Sequence, residues 1–260
     1  YAQLIVRSGL NVQKGQEVII NTGLDQPDFV AMVVEECYKA KAKKVTVQWN
    51  YGPVSKLNTR YQTVKTMGTV EKWEQERHQH YCDVIPAFLH LGAADPDGMK
   101  GVNTKKMAKA RQMSYPILKP YSEYLDGKRQ WCIAAIPGKA WAKKLFPGER
   151  SSTAMEKLWQ AILSAARVDE DPVKAWQEHN ENLKRRCAYL NDLQIRSLHY
   201  TADNGTDLTV GMIPEAQFCG GAEESTRNVS FNPNIPTEEC FVSPMRGKAE
   251  GIVYATKPLS

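Results

Sequence analysis

No window of this 260-residue chain approaches the roughly 18 consecutive apolar residues that a membrane-spanning helix needs, and its opening, Tyr1-Ala2-Gln3-Leu4-Ile5-Val6-Arg7, lacks the apolar stretch of a secretory signal. The expected compartment is therefore the cytoplasm, with no membrane partner; Tyr1 in place of an initiator Met leaves room for a few leading residues. Paired cysteine spacing is missing as well. Cys37, Cys82, Cys132, Cys187, Cys219 and Cys240 stand far apart with no Cys-x-x-Cys, which excludes a zinc knuckle and a thioredoxin-type motif and reads as reduced, mostly buried thiols. None has a His that the sequence can place beside it, so a catalytic cysteine is not expected. Charge of one sign is scarce: the formal net charge is +5, with Lys and Arg dispersed and the densest run, Lys41 to Lys44, broken by Ala42. Such a run suits a solvated helix C-terminus better than a nucleic-acid footprint, and no nucleic-acid partner is expected. A glycine-rich phosphate cradle is lacking too. The turn Asn21-Thr22-Gly23-Leu24-Asp25-Gln26-Pro27 has one glycine where dinucleotide binding needs several, and Asp95-Pro96-Asp97-Gly98 is more simply a turn.

What the chain does have is enough apolar residue, 42%, to bury one or two ordinary cores, in an alternating pattern. Residues 1 to 9 read as a helix, Gly15 as a turn and Glu17 to Asn21 as a short apolar strand. Pro27 opens a helix whose Phe29, Val30, Val33, Val34 and Cys37 share one face, and Val45 to Trp49 is a second strand. Strand, helix and strand within about 35 residues make a βαβ unit, with parallel strands and a right-handed connection. Asp83 to Leu91 and Trp131 to Ile136 supply further buried strands. Thr153 and Glu156 are placed for a capping box on a helix carrying Leu158, Ile162 and Ala165. Asp171-Pro172 starts another helix, with Trp176, Leu183 and Leu190 facing a core. The chain to about residue 185 thus reads as an open, mostly parallel α/β sheet domain.

Histidines offer little metal chemistry. His179 has no partner at i+4 and reads as a surface or capping residue, His78 and His80 diverge on a helix, and His90 and His199 suit structural hydrogen bonds. Beyond residue 190 the pattern changes to short strands. Leu198 to Thr201 and Asp207 to Val210 flank Asn204-Gly205, a hairpin signal, where Asp207 suits a turn-stabilising carboxylate; Gly220-Gly221 reads as a flexible loop and, with Arg227, as a candidate cleft border.

One stretch carries more chemistry than the rest: Asn232-Pro233-Asn234-Ile235-Pro236-Thr237-Glu238-Glu239-Cys240-Phe241. Proline withholds its N–H, so this segment is expected to enter a sheet only after Pro236, with the two carboxylates at the mouth of the strand. Adjacent strand residues face opposite sides, so one carboxylate suits a ligand and the other a structural or solvated role.

The order and spacing of several blocks give a specific resemblance. Trp141 to Pro147, Lys157 to Ile162, Ala166 to Trp176, Leu198-His199-Tyr200, Gly205 to Gly211, the Pro-Asn-Ile-Pro-Thr-Glu-Glu run and Thr256-Lys257-Pro258-Leu259-Ser260 are similar to the thermophilic metallo-aminopeptidases of the aminopeptidase T and aminopeptidase S type. Residues 1 to 130 resemble that family's amino-terminal domain more loosely, through Val12 to Gln16 and Asp95-Pro96. The resemblance implies an α/β amino-terminal domain over residues 1–185, followed over 186–260 by the start of a mixed α+β catalytic domain whose edge strands are left unpaired or covered by a partner chain. It implies a homodimer that removes amino-terminal residues from peptide substrates using two divalent ions, zinc, cobalt, manganese or magnesium, with Glu239 as a metal ligand and Glu238 beside it. It places the family's other ligands beyond Lys-Pro-Leu-Ser. One carboxylate cannot hold a cocatalytic pair, so these 260 residues alone are expected to lack most of the metal site and to be inactive; the other reading is a noncatalytic α/β binding or dimerisation fragment.

Overall fold

The computed structural model describes residues 1–93 and 95–257. Helix α1 (Ala2–Leu4) runs into a π-helical turn over Ile5–Gly9, so the expected first helix is present in a wider-wound form. There follow β1 (Glu17–Gly23), α2 (Pro27–Lys39), β2 (Lys44–Asn50), α3 (Gly52–Tyr61), α4 (Val64–Gly68), α5 (Lys72–Val84), β3 (Ala87–Gly92), α6 (Thr104–Leu125) and β4 (Trp131–Ala135). Then come α7 (Lys139–Leu145), α8 (Ser151–Ala165), α9 (Pro172–Asp192), β5 (Ser197–Thr201), β6 (Asp207–Met212), β7 (Glu223–Glu224), β8 (Ser230–Phe231), β9 (Asn234–Ile235) and β10 (Pro244–Ile252). The last three residues of the resemblance, Pro258-Leu259-Ser260, lie outside the described residues.

Two compact units result: residues 1–176 with 222–236, and residues 177–221 with 237–260. This partition differs from 1–185 and 186–260 in that the chain returns to the first unit to add β7, β8 and β9.

The first unit is built on a five-stranded sheet of order β2-β1-β3-β4-β9 in which every neighbouring pair is parallel. Parallel strands are covered on both faces and so read as apolar runs, and Val18, Ile19 and Ile20 of β1 are all buried. The larger core joins Leu4, Ile5, Val6 and Leu10 to Val30, Val33 and Cys37 of α2 and to Leu89, Cys132 and Trp176. Trp176 is fully buried, and its indole N–H donates to the Ala166 carbonyl at 2.7 Å. On the other face a smaller cluster of Ile19, Tyr81, Cys82, Phe88 and Leu125 packs under α5 and α6.

Two boundaries and one buried face depart from expectation. Residues 83 and 84 are helical, because α5 starts in a capping box between Glu71 and Glu74 and runs to a left-handed cap at Ile85, where Pro86 stops it; β3 begins only at Ala87. The box expected at Thr153 and Glu156 does not form, since α8 already begins at Ser151; its buried face is Ala154, Leu158 and Ile162, and Ala165 is exposed. On α9, Cys187 is buried and Leu190 only half-buried, although the Asp171 carboxylate does accept from the Lys174 N–H at 3.1 Å as an N-cap.

In the second unit β5 and β6 form the expected antiparallel hairpin, and β10 pairs with β6 on the other side. Gly205 takes φ +89° in the turn, where its N–H donates to the Ala202 carbonyl at 3.0 Å.

Candidate functional site

The Thr237-Glu238-Glu239 run does not open a strand. Strand β9 precedes Pro236, with Asn234 and Ile235 opposite Ile133 and Ala134 of β4, and residues 237–240 are irregular. The expectation treated proline only as a missing donor. Its carbonyl still accepts, and Ile133 donates to Pro233 at 2.7 Å, so two prolines can flank a two-residue edge strand. Glu238 and Glu239 are both exposed, without the alternation a strand would impose.

Within the second unit this loop is held by its backbone. The buried Thr237 carbonyl accepts from the His179 ring at 2.7 Å, and His179 Nε2 lies 3.8 Å from a Glu238 oxygen. Glu239 folds back on the chain, accepting from the Glu238 N–H at 3.1 Å. That bond, with smaller help from its own N–H and the Thr237 hydroxyl, holds its carboxyl below the ordinary glutamate range. Behind it, Cys219 and Phe241 exchange two backbone hydrogen bonds of 2.9 and 2.8 Å. Segment 218–221 is in turn braced on α9: Asn191 donates to the Phe218 carbonyl at 3.2 Å and accepts from its N–H at 2.6 Å. Gly220 permits the close approach, because a Cβ there would stand 2.5 Å from the Glu239 carbonyl oxygen. Gly220-Gly221, read as a flexible loop, is thus a packed one.

The loop therefore presents an anionic carboxylate from a fixed backbone, which suits one ligand position for a divalent cation. Among the described residues no group of three or more His, Cys, Asp or Glu side chains converges in a way that could hold a metal ion. The residues present fit one contribution to a metal site and not a whole one.

His179 is the residue that sequence reasoning undervalued. It shares a face of α9 with Trp176, Leu183 and Cys187, at i, i+3, i+7 and i+11, and that spacing marks it as inward-facing; its side chain is only 9% exposed. The other histidines are carried by other elements. His80 pairs with Glu17 at 3.0 Å, His78 stacks on Tyr121, and His90 is exposed on β3. His199 bonds Asp207 at 2.7 Å across the hairpin, so the Asp207 carboxylate ties two strands together.

In the first unit a crevice of about 630 Å³ opens where the strands end, lined among others by Gly23, Asp25, Tyr51, Asp95, Gly138 and Lys143. Sheets of this order place ligands there. Here the Asp25 carboxylate lies 3.2 Å from the Cβ position of Gly23 and 3.4 Å from that of Gly138, where it would repel a pyrophosphate.

A doubly wound parallel domain that passes into an antiparallel one, with an exposed glutamate pair on a braced loop, defines a class of candidate metal-binding α/β proteins. Comparison with known proteins makes it particular. The thermophilic metalloprotease (M29) family model matches residues 1–260, and the chain belongs to that family. It is 36% identical over 262 residues to aminopeptidase AmpS of Bacillus subtilis, covering all of this chain and 64% of that protein. Against aminopeptidase T of Thermus aquaticus the identity is 33% over 261 residues, with the same shares covered. The structure matches wild-type AmpT from Thermus thermophilus with a TM-score of 0.87 at 32% identity, over 99% of this chain and 64% of that one. The chain thus spans less than two thirds of the length of these relatives. No helix among the described residues is long and apolar enough to cross a membrane.

Proposed function

We propose that the protein is a metal-dependent aminopeptidase that releases amino-terminal residues from peptides, with Glu239 supplying one carboxylate to a pair of divalent ions. The observation that carries this reading is the whole-chain match to a metalloprotease family together with relatives named as aminopeptidases at 33 to 36% identity. The Glu239 loop supports it: the carboxylate is exposed, anionic and fixed to the backbone, as a first ligand should be. A two-metal centre needs several carboxylate and imidazole ligands to hold ions about 3.5 to 4 Å apart and to generate hydroxide near neutral pH. Those other ligands are assigned to the stretch that the relatives have and this chain does not span. Glu238, facing His179, is given the role of orienting the loop.

We further propose that β10 is covered by a second copy of the protein. All nine of its residues are exposed, and Met245, Ile252, Val253 and Tyr254 offer apolar side chains at and just beyond a sheet edge. The cytoplasm is the proposed compartment, and zinc, cobalt, manganese and magnesium remain equal candidates, since one carboxylate does not discriminate among them.

The test uses the protein as its source produces it. Hydrolysis of an unblocked aminoacyl anilide should require divalent metal and fall after Glu239→Gln together with metal content; an N-acetylated substrate should not be cut. Turnover of the acetylated substrate, or none of either substrate at any metal concentration, would favour the noncatalytic reading. Sedimentation of a species at monomer mass would remove the second copy from β10.

A further inference from the structure

A cavity lined by polar side chains lies on the sheet face under α5 and α6. The register places Asn21 of β1 between Gln48 of β2 and His90 of β3, so three polar side chains form a row across the middle of a parallel sheet. Parallel sheets ordinarily cover such positions with apolar residues. Here the row floors a cavity of about 450 Å³, a size suited to a small molecule.

Its walls are cationic. Arg77 on α5, Arg111 and Lys119 on α6 and Arg129 beyond α6 all line it, and no carboxylate does. Lys119 is engaged by Glu123 at 3.4 Å, Asp126 acts on Arg129 at longer range, and Glu74 acts on His78; the three arginines form no ion pair within 4.0 Å among the described residues. Arg77 and Arg129 instead lie over rings, 5.1 Å from the centroid of Trp73 and 4.8 Å from that of Phe88. A guanidinium whose face rests on a ring keeps its in-plane N–H groups for a planar or tetrahedral oxyanion.

One buried polar group lacks a partner, and one hydroxyl beside it has a proton to give. Arg77 Nε is buried and makes no hydrogen bond, a state that ordinarily calls for a missing acceptor. The Tyr81 hydroxyl accepts from Gln48 at 2.7 Å and so keeps its own proton to donate. Partial desolvation lowers the basicity of His78 and of His90, and Arg77 and Arg129 beside them act in the same direction.

We propose that this cavity binds a small organic oxyanion, with the arginines and the Tyr81 hydroxyl on its phosphate or carboxylate group and the Phe88 and Tyr115 rings on its flat apolar part. The three arginines come from separate segments, so no single stretch of sequence displays the site. It is independent of the peptidase reading, because none of its residues belongs to the Glu239 loop.

Isothermal titration with inorganic phosphate, phenyl phosphate and benzoate at low salt tests it, on the metal-loaded protein and again after chelation. Phenyl phosphate should bind several-fold more tightly than inorganic phosphate, and the ratio of phenyl phosphate to benzoate separates a phosphate ligand from a carboxylate one. Arg111→Gln and Arg129→Gln should each weaken the better ligand by about tenfold, the loss of one charge-assisted bond, with an unchanged thermal midpoint showing that the fold survives. Binding should be the same with and without metal. No heat at millimolar ligand, unchanged affinity in both variants, or binding lost on chelation would each overturn the proposal. So would a short single-stranded oligonucleotide that displaces phenyl phosphate at a hundredfold lower concentration.

Discussion

Gly220→Ala is the substitution through which the fold most directly reaches the Glu239 loop. The added methyl would sit 2.5 Å from the Glu239 carbonyl oxygen, whereas ordinary contact begins at 3.4 Å, so one side must yield by about 0.9 Å. The atom that opposes it is backbone and cannot rotate away. Nor can the two segments part freely, because Cys219 and Phe241 hold them together through paired hydrogen bonds of 2.9 and 2.8 Å. The displacement therefore falls on Glu238 and Glu239, at an overpacking cost of about 1–3 kcal/mol. A misplacement on the order of 1 Å in a metal-ligand loop lowers kcat/KM by about 100-fold. The assay is aminoacyl-anilide hydrolysis with bound metal measured on the same samples. Gly92→Ala, whose methyl meets nothing within 4 Å, is the control and should leave both readouts unchanged. Wild-type kcat/KM and metal content in Gly220→Ala would refute the claim that this close approach positions Glu239.

Other perturbations address the scaffold. Trp176→Phe keeps a ring in the core but leaves the buried Ala166 carbonyl without its 2.7 Å donor, so urea denaturation should show a loss of about 2–4 kcal/mol. The Glu17 carboxyl is held below its ordinary value chiefly by its hydrogen bond to His80, against the opposing effect of burial. A lowered folded pKa means that this stabilisation is present above the unfolded glutamate value and is lost as pH falls through the folded one. Glu17→Gln should therefore flatten the acid limb of a urea-midpoint profile taken between about pH 6 and pH 3; an unchanged limb would remove Glu17 from the account. Thiol alkylation followed by mass spectrometry should label exposed Cys219 first. Cys37, whose thiol burial pushes up to about 12, and buried Cys132, pushed up by the same cause, should react only on unfolding.

The strand–helix–strand start was legible because each of its signals is local. An apolar run that is buried on both faces, a proline at the first turn of α2 and a one-sided Val30-Val33-Cys37 stripe all follow from residues a few positions apart. Strand β9 was not legible, since two residues between prolines become a strand only by meeting β4, about a hundred positions earlier. The same non-locality moved the carboxylates from a strand into a loop. At the candidate site Glu239 was reachable through family likeness, while the α9 spacing that turns His179 inward was present and overridden by its lack of a metal-pair partner. The arginine-lined cavity gave no sequence signal, because its three arginines stand on α5, on α6 and beyond α6, and its floor comes from three strands.

The central claim, a metal-dependent aminopeptidase with Glu239 as a ligand, is tested most directly by one comparison on the protein as its source produces it. Hydrolysis of an unblocked aminoacyl anilide is measured in wild type and Glu239→Gln, before chelation, after it and after return of divalent metal. The account predicts that wild-type activity disappears on chelation and returns with metal, while the variant stays inactive and binds less metal. Activity that survives chelation, or a Glu239→Gln protein with wild-type rate and metal content, would contradict it.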